Sequence, residues 1–138
     1  MRQDRTLWAS FLLQTPSLTV YIGGDGGYDT HFAEIGRAFP RIDLALVENG
    51  QYDEQWRYIH LMSRYLGRAC RELKARYVVT VHHSKYALAR HRWDEPLENE
   101  AEAARRDSLR LIVARIGQPV DLQPIVASRE APQPAVKN

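Results

Sequence analysis

A single cysteine, Cys70, among 138 residues leaves no internal disulfide to be drawn. The apolar runs are short, well under the roughly 18 residues that span a bilayer. The opening MRQDRTLWAS also lacks the apolar stretch of a secretory leader. Charge of one sign is missing too: 19 Lys and Arg against 17 Asp and Glu leave a net charge of +2, with no Lys/Arg run longer than two residues. The footprint of a nucleic-acid or anionic-membrane partner is therefore absent. Eight glycines and seven prolines are too few for a collagen-like or low-complexity chain. There is no Cys pair, His-Glu-x-x-His, His-x-His, Gly-Lys-Ser/Thr phosphate loop or Gly-x-Ser-x-Gly elbow. These absences lead to the expectation of a cytoplasmic single domain with no transmembrane segment and no nucleic-acid partner.

What is there is ordinary in amount: 44% hydrophobic and 26% charged residues, enough for a packed core. Leu7–Leu13 (LWASFLL), the QTPS turn and Leu18–Gly23 (LTVYIG) predict two strands joined as a hairpin. A glycine-rich loop, GGDGGYDTH, hangs on the end of the second. Phe32, Ile35 and Phe39 predict a short helix over His31–Phe39, stopped by Pro40. IDLALV (Ile42–Val47) suits a strand buried on both faces. An apolar stripe with arginines outside it predicts one helix over Tyr58–Ala75, followed by a strand at Tyr77–Val81. Leu97–Ile116 predicts a further helix and Val120–Ile125 a brief last strand, with a Pro-rich polar tail beyond. The alternation gives an α/β sheet with packed helices. The polar clusters, around Asp25, Glu48–Tyr52 and His82, stand at strand ends, where binding loops gather.

Asp25 has glycines on both sides, which free the backbone to turn sharply and leave the carboxylate accessible. It reads either as a ligand for a divalent cation or as a turn aspartate bonded to its own loop. His82 and His83 follow a β-branched strand, so alternation points only one imidazole at a given site. Either one is a metal ligand or a hydrogen-bonded boundary residue. His31 and His60 carry the same ambiguity, while His91, in an Arg-rich loop, reads as solvated. Cys70 lies on an apolar stripe and reads as core rather than nucleophile. From the residues alone, the outcome is an α/β domain with one edge suited to a metal.

Taken in order, TVYIGGDGGYDTHFAEIG, DLALVENGQY, YIHLM, and VHHSKYALA followed by WDEP form one pattern over Leu7–Pro96. It resembles the C-terminal half of metallo-β-lactamase-fold hydrolases, in the branch similar to N-acylphosphatidylethanolamine phospholipase D. The resemblance implies that Asp25 bridges two metal ions, that His82 rather than His83 binds the second, and that His60 lies over the pair and handles substrate. It implies two Zn2+ per site in the intact family. It also implies hydrolysis of a phosphodiester or other ester, on a small-molecule or lipid substrate, by hydroxide formed from metal-bound water.

The same resemblance shows departures. The family's His-x-His-x-Asp-His belongs to an N-terminal half that this chain does not contain, Gly26 replaces a usual hydroxyl residue, and Ser63-Arg64 replaces a usual Pro-Glu. The expectation is half of an αββα sandwich, one mixed sheet with its helices over residues 1–126, and a disordered tail over 127–138. Such a chain is expected to be inactive when isolated. Its uncovered inner sheet face calls for a homodimer or a complementary N-terminal half. The alternatives are a non-catalytic half-domain that docks on a partner, or a chain that starts at an internal Met of a longer frame.

Overall fold

In a computed structural model, residues 8–86 and 88–130 are described. Four strands form one mixed sheet in sequential order. They are β1 (Phe11–Gln14), β2 (Thr19–Ile22), β3 (Ile42–Glu48) and β4 (Ala75–Val81). β1 and β2 pair antiparallel as the predicted hairpin. Its turn is closed by Thr15, whose N–H donates to the Leu18 carbonyl (2.8 Å) while its hydroxyl accepts from Leu18 N–H (2.9 Å). β2, β3 and β4 run parallel. The helices are α1 (His31–Ala38), α2 (Leu66–Glu72), α3 (Glu95–Asp107) and α4 (Gln123–Glu130). No helix among the described residues is long and apolar enough to cross a membrane.

The helical segments differ from the sequence expectation in three places. The Tyr58–Ala75 helix is only α2, preceded by a short 3₁₀ turn at Ser63–Tyr65. Before it, Ile59 and His60 N–H both donate back to the Trp56 carbonyl and bend the chain. The Leu97–Ile116 helix ends at Asp107, because Ser108 takes a left-handed conformation (φ 54°) and caps it. The chain then runs extended beside β4: Val78 N–H donates to Arg110 and Ile112 N–H to Val78. Val120–Ile125 is no strand. Pro124 fits the first turn of a helix, where its missing N–H costs nothing, and α4 carries on through Ala127–Glu130, which the sequence suggests as tail. Residues 131–138, like Leu7, lie outside the described residues.

Side-chain alternation splits the sheet residues between two cores. Tyr21, Ala45, Val47 and Val78 face α1, α2 and α3, and meet Phe32, Leu66, Ala69, Cys70, Leu73 and Ala103. On the other face Leu44 and Val79 meet Ile125 of α4, flanked by Val20, Leu46, Tyr77 and Ile112. The inner face is thus partly covered by the chain itself, whereas the sequence reading leaves it bare. Phe11, Leu13, Ile22 and Val81 remain exposed.

Candidate metal centre

Parallel pairing brings the carboxyl ends of β2, β3 and β4 to one edge of the sheet, the usual place for a ligand site in such folds. Gly23 N–H donates to the Leu46 carbonyl (2.9 Å), so the glycine-rich loop leaves β2 beside the end of β3. Register pairs Glu48 with Val81, which sets His82, the next residue, alongside Glu48. His60 arrives by the bend described above. That bend is started by Asp53, whose carboxylate accepts from Gln55 N–H (2.9 Å), and is pinned by the buried side chains of Leu61 and Met62.

These routes converge. One donor atom each from Asp25, His60 and His82 lies within 4.8 Å of the others. His82 Nε2 is 3.9 Å from an Asp25 oxygen, and the His60 and His82 rings stack at 5.4 Å. Asp25 and His82 are exposed while His60 is half-buried, so the group is open on one side. His82 owes its direction to a left-handed backbone (φ 72°), a conformation that costs a residue with Cβ about 1–2 kcal/mol. The loop after β3 presses against it closely: any side chain at Gly50 would run into the His82 carbonyl. A side chain at Gly27 would likewise strike the backbone of Arg57 and Tyr58, so the loop of Asp25 packs on the bend that carries His60.

Beneath the three lies Glu48, with only 2% of its surface exposed. One oxygen accepts from Gly26 N–H (3.1 Å) and Leu61 N–H (3.0 Å), and the other accepts from His60 Nδ1. A single buried carboxylate therefore ties the Asp25 loop to the His60 bend. Burial pushes its carboxyl above the usual carboxylate range, against the bonds from Leu61, His60 and Gly26, which favour the charged form. When Glu48 is ionised the shared proton sits on Nδ1, and His60 Nε2 is left with a free lone pair, as a ligating imidazole needs. Sequence reading places Glu48 only in a polar cluster. A charge closing an apolar strand is a common sight, and only the register with β4 gives it a role.

The other candidates fall elsewhere. His83 turns away, with Nε2 2.9 Å from Thr80 Oγ1, Nδ1 2.7 Å from Ser84 Oγ, and Glu100 at 3.7 Å. His91 is not simply solvated: its ring packs on Tyr52, and Nε2 accepts from Gln51 N–H (2.9 Å). His31 rests on Phe32 at the start of α1. Cys70 is buried, and burial pushes its thiol up to about 12, which removes it as a nucleophile. Beside Asp25 and Glu48 opens a hollow of about 340 Å3 whose walls include Trp8, Tyr21, Tyr28 and Tyr58.

Two imidazoles and a carboxylate make a nitrogen–oxygen donor set that suits zinc and similar divalent ions, and three is the number that catalytic zinc takes from protein. The residues present fit one such ion.

An α/β sheet with helices carries, at the carboxyl ends of its parallel strands, a histidine–aspartate cluster able to hold a metal ion. Residues 1–83 match the family described as the beta-lactamase superfamily domain, and the chain belongs to that metallo-β-lactamase superfamily as a partial domain. It is 48% identical over 82 residues to the "Outer membrane protein RomA" of Klebsiella pneumoniae, covering 59% of this chain and 62% of that one. With the "Uncharacterized protein Rv0906" of Mycobacterium tuberculosis it shares 34% identity over 124 residues, 88% of this chain but 33% of the relative. Among solved structures it is similar to Igni18, a metallo hydrolase from Ignicoccus hospitalis (TM-score 0.68, 18% identity, 86% of this chain and 47% of that one). It is also similar to the metallo-beta-lactamase fold protein YhfI from Bacillus subtilis (TM-score 0.59, 22% identity, 79% and 42%). The chain thus spans between a third and two thirds of the length of these proteins.

Proposed function

We propose that the chain is the C-terminal half of a zinc-dependent hydrolase of the branch similar to N-acylphosphatidylethanolamine phospholipase D, acting on a phosphodiester or another ester. The observation that carries this reading is the meeting of Asp25, His60 and His82 within 4.8 Å. In it Asp25, His82 and His60 Nε2 hold one divalent ion. When bound, such an ion lowers the pKa of a coordinated water to near 7 and polarises the ester oxygen. Glu48 keeps His60 oriented through Nδ1, and its bond from Gly26 holds the loop so that Asp25 faces the two rings. The aromatic hollow beside Asp25 offers apolar surface for a substrate group.

Three ligands do not hold two ions, so this reading has the isolated chain bind about one ion and turn over little or no ester. The missing ligands come from a complementary half, which covers Phe11, Leu13, Ile22 and Val81 on the inner face. One observation favours a second reading, a non-catalytic half-domain: α4 already closes part of that face, as a self-standing module needs. Metal content decides between them. Protein purified without chelator is expected to carry about one zinc per chain by elemental mass spectrometry, and the Asp25→Ala, His82→Ala double variant to carry none. Metal-free protein in both would overturn the hydrolase reading and leave the module.

A further inference from the structure

At the opposite end of the sheet, roughly 20 Å from the metal edge by strand length, a second polar site is built from residues scattered along the chain. Arg41 precedes β3, Lys74 and Arg76 flank the first residue of β4, and register pairs Ile42 with Ala75, so the three meet across adjacent strands. α4 contributes Arg129. These four cations, with Ser128, line a hollow of about 490 Å3. Among the described residues, the carboxylate that approaches three of them is the fully buried Asp43.

Local partners use up little of this charge. Asp43 accepts from Thr19 N–H (2.9 Å) and lies 3.7–3.8 Å from each of the three guanidinium groups, near contact but not paired closely with any. One of its oxygens has no hydrogen-bond partner among the described residues. Arg41 donates to the Arg129 carbonyl (3.3 Å), Arg76 through Nη2 to the Ser128 carbonyl (3.0 Å) and hydroxyl (3.4 Å), and Arg129 to the Pro16 carbonyl (3.5 Å), which are neutral acceptors and use a minority of the five N–H groups each guanidinium carries. Among the described residues, four cations against the one carboxylate of Asp43 leave about three positive charges at one spot, in a chain whose net charge is only +2. Holding like charges together costs free energy that a bound anion relieves. Forked guanidinium donors beside a lysine suit tetrahedral, multiply charged oxyanions best.

We propose that this hollow is a binding site for a phosphate-class dianion, held by Arg41, Lys74, Arg76 and Arg129. It is separate from the metal edge and does not rest on the hydrolase reading. The anion is either free in solution or the headgroup of a lipid. Sequence composition hides the site, because its four cations come from three segments.

The test uses the full chain with chelator present. Isothermal titration with inorganic pyrophosphate, at ionic strength fixed with sodium chloride, forms one arm. Co-sedimentation with phosphatidylcholine vesicles, with and without phosphatidic acid, forms the other. The expected result is saturable binding in at least one arm, weakened by about 10-fold or more in Arg41→Gln, Lys74→Gln. It should be unchanged in Arg37→Gln, Arg105→Gln, which removes equal charge elsewhere. It should also be unchanged in Asp25→Ala, His82→Ala, which separates this site from the metal edge. Lys74→Gln alone serves if the double variant does not fold. No saturable binding in either arm, equal weakening in the two arginine-bearing pairs, or loss only in the metal-edge variant would overturn the proposal.

Discussion

The two faces of the sheet are finished to different degrees. On one, three helices lay a continuous apolar layer over Tyr21, Ala45, Val47 and Val78, and Leu66, Ala69, Cys70 and Leu73 are almost fully buried there. On the other, a single helix, α4, closes Leu44 and Val79 through Ile125, while Phe11 and Leu13 of the edge strand stay 65% and 53% exposed. Both faces come from strands of similar apolar content. The difference lies in the connections between elements: α1 and α2 are the crossover helices of the parallel strands they cover and α3 packs beside α2, whereas α4 reaches its face only after the long extended segment beyond Ser108. A sheet face is covered early and well by its own crossover helices, and the opposite face depends on a distant part of the chain or on another chain.

That contrast predicts different costs for the same kind of substitution. Leu66→Ala leaves a cavity in a layer clamped on all sides, so chemical denaturation is expected to show a loss of about 2–5 kcal/mol. Ile125→Ala removes as many methylene groups from a site just as buried. There, however, the penalty cannot exceed the free energy with which α4 docks, because the helix can simply lift away. Its expected cost is at or below about 2 kcal/mol, with loss of amide protection in α4 while β3 and β4 keep theirs by hydrogen exchange. Equal costs and equal protection would show that α4 is as integral to the fold as α2.

The same contrast explains what could be read in the sequence. The helix face was legible because its residues alternate in strands and recur at helical spacing within single elements: Phe32 and Ile35 in α1, or Leu66, Ala69, Cys70 and Leu73 around α2. Asp25 and His82 were legible because each stands at a strand end, one marked by glycines and one by a β-branched run. Glu48 was not, since its task depends on register with Val81 and on the bend that delivers His60. That bend was itself masked by an apolar stripe that continued through Tyr58–Met62 as though helical. α4 was hidden for a related reason. Val120–Ile125 is apolar enough for a strand, and only the pairing of residues 110–112 with Val78 shows that the edge of β4 is already taken.

Glu48 stands at the carboxyl end of the sheet, where the two faces meet the loops, and the prediction there is one of slope. Burial raises its carboxyl in the folded protein, so the folded state binds the proton more tightly than the unfolded chain does. Stability from this group is therefore fully present below the ordinary carboxylate range and lost as pH rises through the folded value. Glu48→Gln keeps an oxygen for Gly26 and Leu61 N–H and an amide for His60. Denaturation midpoints measured from pH 4 to pH 7 are expected to fall less with pH in the variant than in the parent. A steeper fall in the variant would mean that the three bonds outweigh the burial and that Glu48 is held ionised.

The smallest effect on stability, and the sharpest on association, is expected at the bare part of the unfinished face. Phe11 sits beside Ile22 and Leu13 beside Val20, so the two rows that α4 covers at Leu44 and Val79 continue as open apolar surface to the edge strand. Replacing both by serine removes little that is buried, and stability is expected to change by no more than about 0.5 kcal/mol. If a second copy covers that surface, sedimentation velocity should show the parent self-associating with rising concentration and the Phe11→Ser, Leu13→Ser variant remaining monomeric. A parent that is monomeric at every concentration would remove the second copy as the cover and leave the complementary half alone in that role. A variant that loses several kcal/mol instead would show that the edge strand is packed in solution, and the two faces would then be more alike than the exposure of Phe11 and Leu13 indicates.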